Sequence, residues 1–260
     1  METEKKQGKQ DYSFRDSKTI LFTGVKGGCG CSFVTNSVAT YIARAKSISV
    51  VLIDFNNGKG DSRSVFNLTG DSIRDLGDIM CDFSEIDISL LKKLVINFDN
   101  SLNLILPSTK FEKVRILNAK NIEILLESLA KVFDLVIADL PFYLFFEIDD
   151  VFPDFADKFV FISNTDFISI NNLKLLIDNV CADNYPQKVE IVINMFNSKT
   201  FIQSRRIAST ITLPVKTFIP YDRDLEYLYM TRGPFPIFNY TLRTVRALSD
   251  FSECLLEDLF

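Results

Sequence analysis

The residues best equipped for chemistry lie within Lys18–Ser37, KTILFTGVKGGCGCSFVTNS. An apolar, β-branched run leads into Gly24, Gly27, Gly28 and Gly30, and a helix-like pattern follows. Glycines let consecutive backbone N–H groups turn toward one point, and a helix start adds partial positive charge. The stretch therefore predicts a cradle for phosphate. Ser32 falls in the first helical turn, where a hydroxyl can ligate Mg²⁺. Phosphate loops close on G-K-[ST]. Here the close is Gly30-Cys31-Ser32, so the lysine that reaches the β- and γ-phosphates is missing. Its loss predicts weaker binding and slow hydrolysis, because phosphoryl transfer depends on electrostatic stabilisation. A second lysine, Lys26, lies in the bend of the loop, a place from which it can reach across a dimer interface.

Carboxylates at strand ends form a second group. Asp54 follows the apolar run 50–53 and Asp139 lies in FDLVIADL, Phe133–Leu140. Either alone reads equally as an ordinary strand-end acid. In an open α/β sheet, however, ligands bind beyond the carboxyl ends of the strands, so both converge on the loop.

The elements that must position these groups alternate. Strand-like runs are Thr19–Val25, Ser49–Phe55, Leu102–Pro107, Phe133–Leu140, Lys158–Ser163, Val189–Phe196 and Val215–Pro220. Several are apolar at nearly every position, as in strands covered on both faces. Helical patterns lie at Phe33–Ala45, Ile88–Ile96, Ala119–Val132, Ser169–Cys181, Ile202–Ser209 and Leu225–Met230. Such alternation predicts right-handed crossovers and an α/β fold with a doubly wound, largely parallel sheet. With no internal repeat or linker, one domain is expected over residues 18–260, behind a polar lead-in, residues 1–17, expected to be disordered. In Thr241–Phe260, apolar residues recur in steps of three and four, giving one apolar helix face. A membrane-surface helix wants Lys/Arg opposite, whereas this segment carries Glu253, Glu257 and Asp258, so core packing is expected.

Composition removes several chemistries. Among 260 residues there is no His, which excludes histidine triads, metal sites and proton shuttles. The net charge of −5 argues against a surface coated with positive charge for nucleic acid. Five scattered cysteines do not form a disulfide framework, and Cys29-x-Cys31 lacks the second pair of a structural zinc site. No signal-peptide core or membrane-length apolar run occurs, so a cytoplasmic protein without a transmembrane segment is expected. Lys199, Arg205, Arg206, Lys216 and Arg223 form either a DNA-contact patch or a solvated face, and their scatter favours the second. The aromatic run at residues 142–146, FYLFF, reads as core or as a partner surface.

VKGGCGCSFVTNSVATYIAR resembles the deviant Walker A region of the ParA/MinD P-loop ATPases, K-G-G-x-G-K-[ST]. The resemblance implies ATP and Mg²⁺ as cofactors and an ATP-dependent homodimer in which Lys26 reaches the partner's nucleotide. Gly27, Gly28, Cys29, Gly30, Cys31, Ser32 and Phe33 would bind phosphates. VVLIDFN, residues 50–56, resembles the family's V-L-L-I-D-x-D, which implies a catalytic and Mg²⁺-side role for Asp54. Asn56 replaces the second carboxylate there. FDLVIADLP resembles the Walker B strand, with Asp139 on the metal side. Asn194 matches a strand-end Asn that contacts adenine, and Pro220-Tyr221-Asp222 resembles the turn lining the base. A small residue at Cys31, with Gly60-Asp61, resembles the CpaE/TadZ branch. That implies an ATP-binding regulator recruited to the cell pole to place pilus or secretion machinery. The alternatives are a scaffold that no longer turns over ATP, and a DNA-partitioning or flagellum-placing ATPase.

Overall fold

In the computed structural model, the described residues are 17–68, 70, 73–78, 88–110, 119–147, 155–182, 185–197 and 202–260. All but Ser17 of the expected lead-in lies outside them. The apolar runs form strands β1 (Lys18–Gly24), β2 (Val50–Asp54), β3 (Ile96–Asn97), β4 (Leu102–Ile105), β5 (Leu135–Leu140), β6 (Lys158–Ser163), β7 (Val189–Phe196) and β8 (Val215–Pro220). They make one sheet in the order β3-β4-β2-β5-β1-β6-β7-β8. Every neighbouring pair is parallel except β3–β4. The α/β, doubly wound, largely parallel sheet expected from the sequence is therefore present.

Alternation along β1 shows why this sheet needs two layers of helices. Ile20 and Phe22 face one core and Leu21 the other, and all three are buried. The first core is closed by α1 (Cys31–Ala45), α8 (Arg223–Arg232), α9 (Pro234–Ile237) and α10 (Arg243–Leu259). The second is closed by α3 (Ile88–Leu94), α4 (Ala119–Ala130), α5 (Phe142–Glu147), α6 (Phe167–Ala182) and α7 (Ser204–Thr210). A short helix, α2 (Asp61–Val65), follows β2. Among the described residues no helix is long and apolar enough to cross a membrane.

Two details differ from the expected elements. The helical pattern at residues 88–96 stops at Leu94, and Ile96 pairs antiparallel with Leu104 as an edge strand. The helix after the glycine loop starts at Cys31 rather than Phe33, because Gly30, with φ 83°, turns the chain directly into it. The C-terminal helix packs as expected: Val245, Leu248, Phe251 and Leu255 are buried in the α1 core.

The aromatic run divides. Leu144 and Phe145 are buried, with Phe145 edge-on to Phe159 and Phe161, while Tyr143 is 57% exposed. Phe145→Ala should cost about 3–5 kcal/mol, as expected for a large core truncation. Tyr143→Ala, at an exposed position, should cost clearly less. Urea denaturation of both variants checks this; equal effects would show that the run is not split between core and surface.

Candidate functional site

Strand pairing sets the floor of the site. β2 and β5 pair so that Asp54 lies opposite Asp139, and the Phe55 N–H donates to the Asp139 carbonyl at 3.0 Å. On the other side of β1, the Val25 N–H donates to the Ile162 carbonyl of β6 at 3.0 Å, which holds the start of the glycine loop level with the strand ends.

The loop itself is built for close approach. A Cβ on Gly24 would strike the Cys29 sulfur, and one on Gly30 would strike the Asn194 carboxamide. Gly28 and Gly30 adopt φ of 79° and 83°, the left-handed region where side chains are strained. A Cβ on Gly27 or Gly28 would meet open space. No side chain caps α1, which leaves its first N–H groups without the usual partner. Gly27, Gly28, Cys29, Gly30, Cys31, Ser32 and Phe33 all line one cavity of about 660 Å³. That is in the range of roughly 300–1,000 Å³ typical of small-molecule sites.

Asp139 anchors the metal side. The Ser32 hydroxyl donates to its Oδ2 at 2.5 Å and the Cys31 thiol to its Oδ1 at 3.3 Å. Burial, with the neighbouring Asp54 charge adding to it, pushes the Asp139 carboxyl up to about 7. The same burial pushes the Cys31 thiol well above its ordinary value, with Asp139 the next cause, so the group in the lysine's place is neutral. Asp54 lies behind the cavity wall rather than on it. Its carboxylate accepts from the Ser62 hydroxyl and, at 2.8 Å each, from the backbone and side-chain amides of Asn56. Burial still raises its pKa. A hydroxyl and a carboxylate side by side are hard oxygen donors of the kind Mg²⁺ takes. Together with the uncapped helix start and the open glycine bend, they fit a Mg²⁺–nucleotide. Ser32 and Asp139 would hold the metal, and the loop amides the phosphates.

The remaining expected residues gather around the same cavity. Pro220 and Asp222 line it. Asp222 also caps α8, its Oδ1 accepting from the Asp224 and Leu225 N–H groups at 3.0 Å each. Asn194 lines the cavity too, but its side-chain amide donates to the Cys29 carbonyl at 3.0 Å, bracing the loop. Lys26 does not point outward unengaged. Its ammonium lies 2.8 Å from Asp166. Asp166 also accepts from the Ser169 N–H and hydroxyl, at 2.9 Å each, at the start of α6. Burial pushes its carboxyl up, but the Lys26 ammonium and the Ser169 donors outweigh this and hold it below its usual value.

Sequence reasoning missed several residues here. Asp166 carried a signal, since Asp-x-x-Ser before an apolar run is a helix-start pattern. Lys59, Asn36 and Tyr229 carried none. Tyr229 stands edge-on to Phe33 with ring centres 4.8 Å apart, and its hydroxyl accepts from the Asn36 amide at 3.0 Å. Arg205, Arg206 and Arg223 are exposed, Lys216 is tied to Asp258 at 2.8 Å, and Lys199 lies outside the described residues.

No protein-family model and no curated protein matches the sequence. Solved structures do match the fold. A ParA family ATPase from Chlorobium tepidum TLS is similar with a TM-score of 0.78 and 20% identity, over 91% of this chain and 99% of that one. The septum site-determining protein MinD of Pyrococcus horikoshii OT3, complexed with Mg-ADP, gives 0.74 and 13%, over 92% and 96%. A putative plasmid partition protein from Borrelia burgdorferi B31, bound to AMPPNP, gives 0.67 and 18%, over 93% and 99%. The chain therefore has the P-loop fold of the ParA/MinD ATPases.

The carboxyl of Asp139 makes a pH prediction. Unfolded, it ionises near the ordinary aspartate value of 3.8; folded, it keeps its proton to about pH 7. The stability this group contributes is full below pH 3.8 and is lost as pH rises through about 7. In metal-free buffer, Asp139→Asn should lose much less stability than the parent between pH 5 and 8, measured by urea denaturation. An equal decline in both would show that Asp139 is not the group responsible.

Proposed function

We propose that this protein is an ATP-operated positioning switch of the ParA/MinD kind. In this reading it binds ATP with Mg²⁺ in the glycine-loop cavity and forms a homodimer when loaded. The observation that carries the proposal is the Ser32–Asp139 pair, set beside the open glycine bend at the uncapped start of α1. Partition and division-site proteins as structural neighbours support it, two of them holding Mg-ADP or AMPPNP.

Within that class, the neighbours lend more support to a partition or division-site type of role than to polar placement of pilus machinery. The CpaE/TadZ-like reading rests on residues around Cys31 and Gly60-Asp61 alone. Hydrolysis is slow in the proposed cycle. Cys31 offers no charge to the outer phosphates, and Asn56 directs its amide at Asp54 rather than supplying a carboxylate for the attacking water. A switch that acts through its bound state does not need rapid turnover.

Lys26 is the moving part. In the single chain it is latched to Asp166, and in the loaded dimer it would leave that partner for the nucleotide of the second copy. Lys26→Ala should bind Mg²⁺–ATP within about fivefold of the parent, yet fail to dimerise on adding it, because the ion it loses acts across the interface. Calorimetry for binding and sedimentation for mass separate the two. ATP binding without any change of mass in the parent would sink the switch and leave a nucleotide-binding scaffold.

Exposed Arg205 and Arg206 test the DNA reading. If the loaded dimer binds DNA through them, Arg205→Glu with Arg206→Glu should lower affinity and flatten its salt dependence by about two phosphate contacts. Unchanged binding would clear this patch of the role.

A further inference from the structure

The loop after β2 brings a cation to the same cavity in which the glycine loop lacks one. We propose that Lys59 supplies the positive charge for the outer phosphates of the bound nucleoside triphosphate that Cys31 does not. The inference rests on the nucleotide reading above and deepens it.

Among the described residues two lysines line the cavity, Lys26 and Lys59. Lys26 is engaged with Asp166. Lys59 is exposed and makes no hydrogen bond or ion pair among the described residues. Its backbone neighbours, by contrast, are held firmly. The Gly58 N–H donates to the Ser108 carbonyl at 2.7 Å, and the Ser108 N–H donates to the Asn57 carboxamide at 2.7 Å. One residue earlier, Asn56 is bound to Asp54. Gly58, with φ 83°, makes the turn that sets Lys59 at the tip. The result is a fixed base carrying a free ammonium on a four-carbon stem.

Charge points the same way. Asp61, Asp139, Asp222 and Glu226 also line the cavity. A triphosphate entering it would meet a wall of carboxylates relieved by the metal and, with Lys26 latched, by one side-chain cation. A lysine serves phosphate as a compact point charge and needs no fixed fork geometry, so a flexible approach from a loop suffices. The lysine of an ordinary phosphate loop arrives from the helix start; here the charge arrives from the opposite rim.

Calorimetric titration of the full chain with Mg²⁺–ATP and with Mg²⁺–ADP decides the matter. Lys59→Gln should weaken ATP by about tenfold or more and ADP by less than about threefold, since the contact is to the outer phosphate. Lys59→Arg keeps the charge and should retain ATP affinity. Lys46→Gln, the same charge change just beyond the far end of α1, should leave both nucleotides unaffected. Cys31→Lys in the Lys59→Gln background should restore ATP binding, because it returns the charge from the other side. Thermal unfolding midpoints of the variants confirm that each is folded. A parent that binds ATP while Lys59→Gln binds it equally well would overturn the role of Lys59 and leave the nucleotide reading standing. Equal losses for ATP and ADP, or a matching loss in Lys46→Gln, would also overturn it. A parent that binds neither nucleotide would overturn both.

Discussion

The parallel register of β2, β5, β1 and β6 is the constraint on which the site depends. Asp54 lies opposite Asp139, and Phe22 opposite both Asp139 and Val160, so the four strands end within three residues of one another. Side chains alternate between faces along each strand. A one-residue slip of β5 would turn Asp139 away from Ser32 and set an apolar residue in its place. The two cores oppose such a slip, because β1 and β5 bury alternate residues in different helical layers. Packing far from the cavity thus holds a single hydroxyl–carboxylate contact in place.

Within that frame the electrostatics are unbalanced. Two buried carboxylates stand side by side, and the helix start offers Asp139 only neutral donors, the Ser32 hydroxyl and the Cys31 thiol. Burying like charges together is costly unless a counter-ion or a proton arrives. Burial, with the Asp54 charge added, pushes the Asp139 carboxyl up to about 7, so a proton stays on it below that pH. A divalent cation bound to Ser32 and Asp139 would displace that proton, which would link metal binding to proton release. The loop above does not collapse into the gap, because Asn194 braces Cys29 from β7 and the close fit of Gly24 and Gly30 leaves no slack.

Much of this was legible in the residues. Three strands, Lys158–Ser163, Val189–Phe196 and Val215–Pro220, occur with the bounds the apolar runs predicted, since buried parallel strands write themselves as unbroken β-branched and aromatic stretches. The glycine loop was legible because positive φ and close approach leave few alternatives to glycine. What sequence did not carry was partnership at a distance. Asn194 and Cys29 are 165 residues apart, and nothing local marks their contact. Ile96 and Asn97 form an edge strand too short to show a period. Lys59 is one exposed lysine among many until the fold sets its loop beside the cavity. The aromatic run at residues 142–146 could not be assigned because helix α5 gives one side to the core and another to the surface, and composition alone does not tell which ring goes where.

Asp166 holds two different partners at once. One is the detachable ammonium of Lys26; the others are the N–H and hydroxyl of Ser169 in the first turn of α6. A carboxylate at a helix start is favoured by the helix dipole whether or not a cation is beside it. Were Lys26 to leave, the charge left behind would still be solvated by its own helix. The latch is therefore lopsided: the anchor is permanently comfortable and only the lysine changes circumstances. Its release would need little compensation at the site it abandoned, so a modest attraction elsewhere would be enough to draw it away.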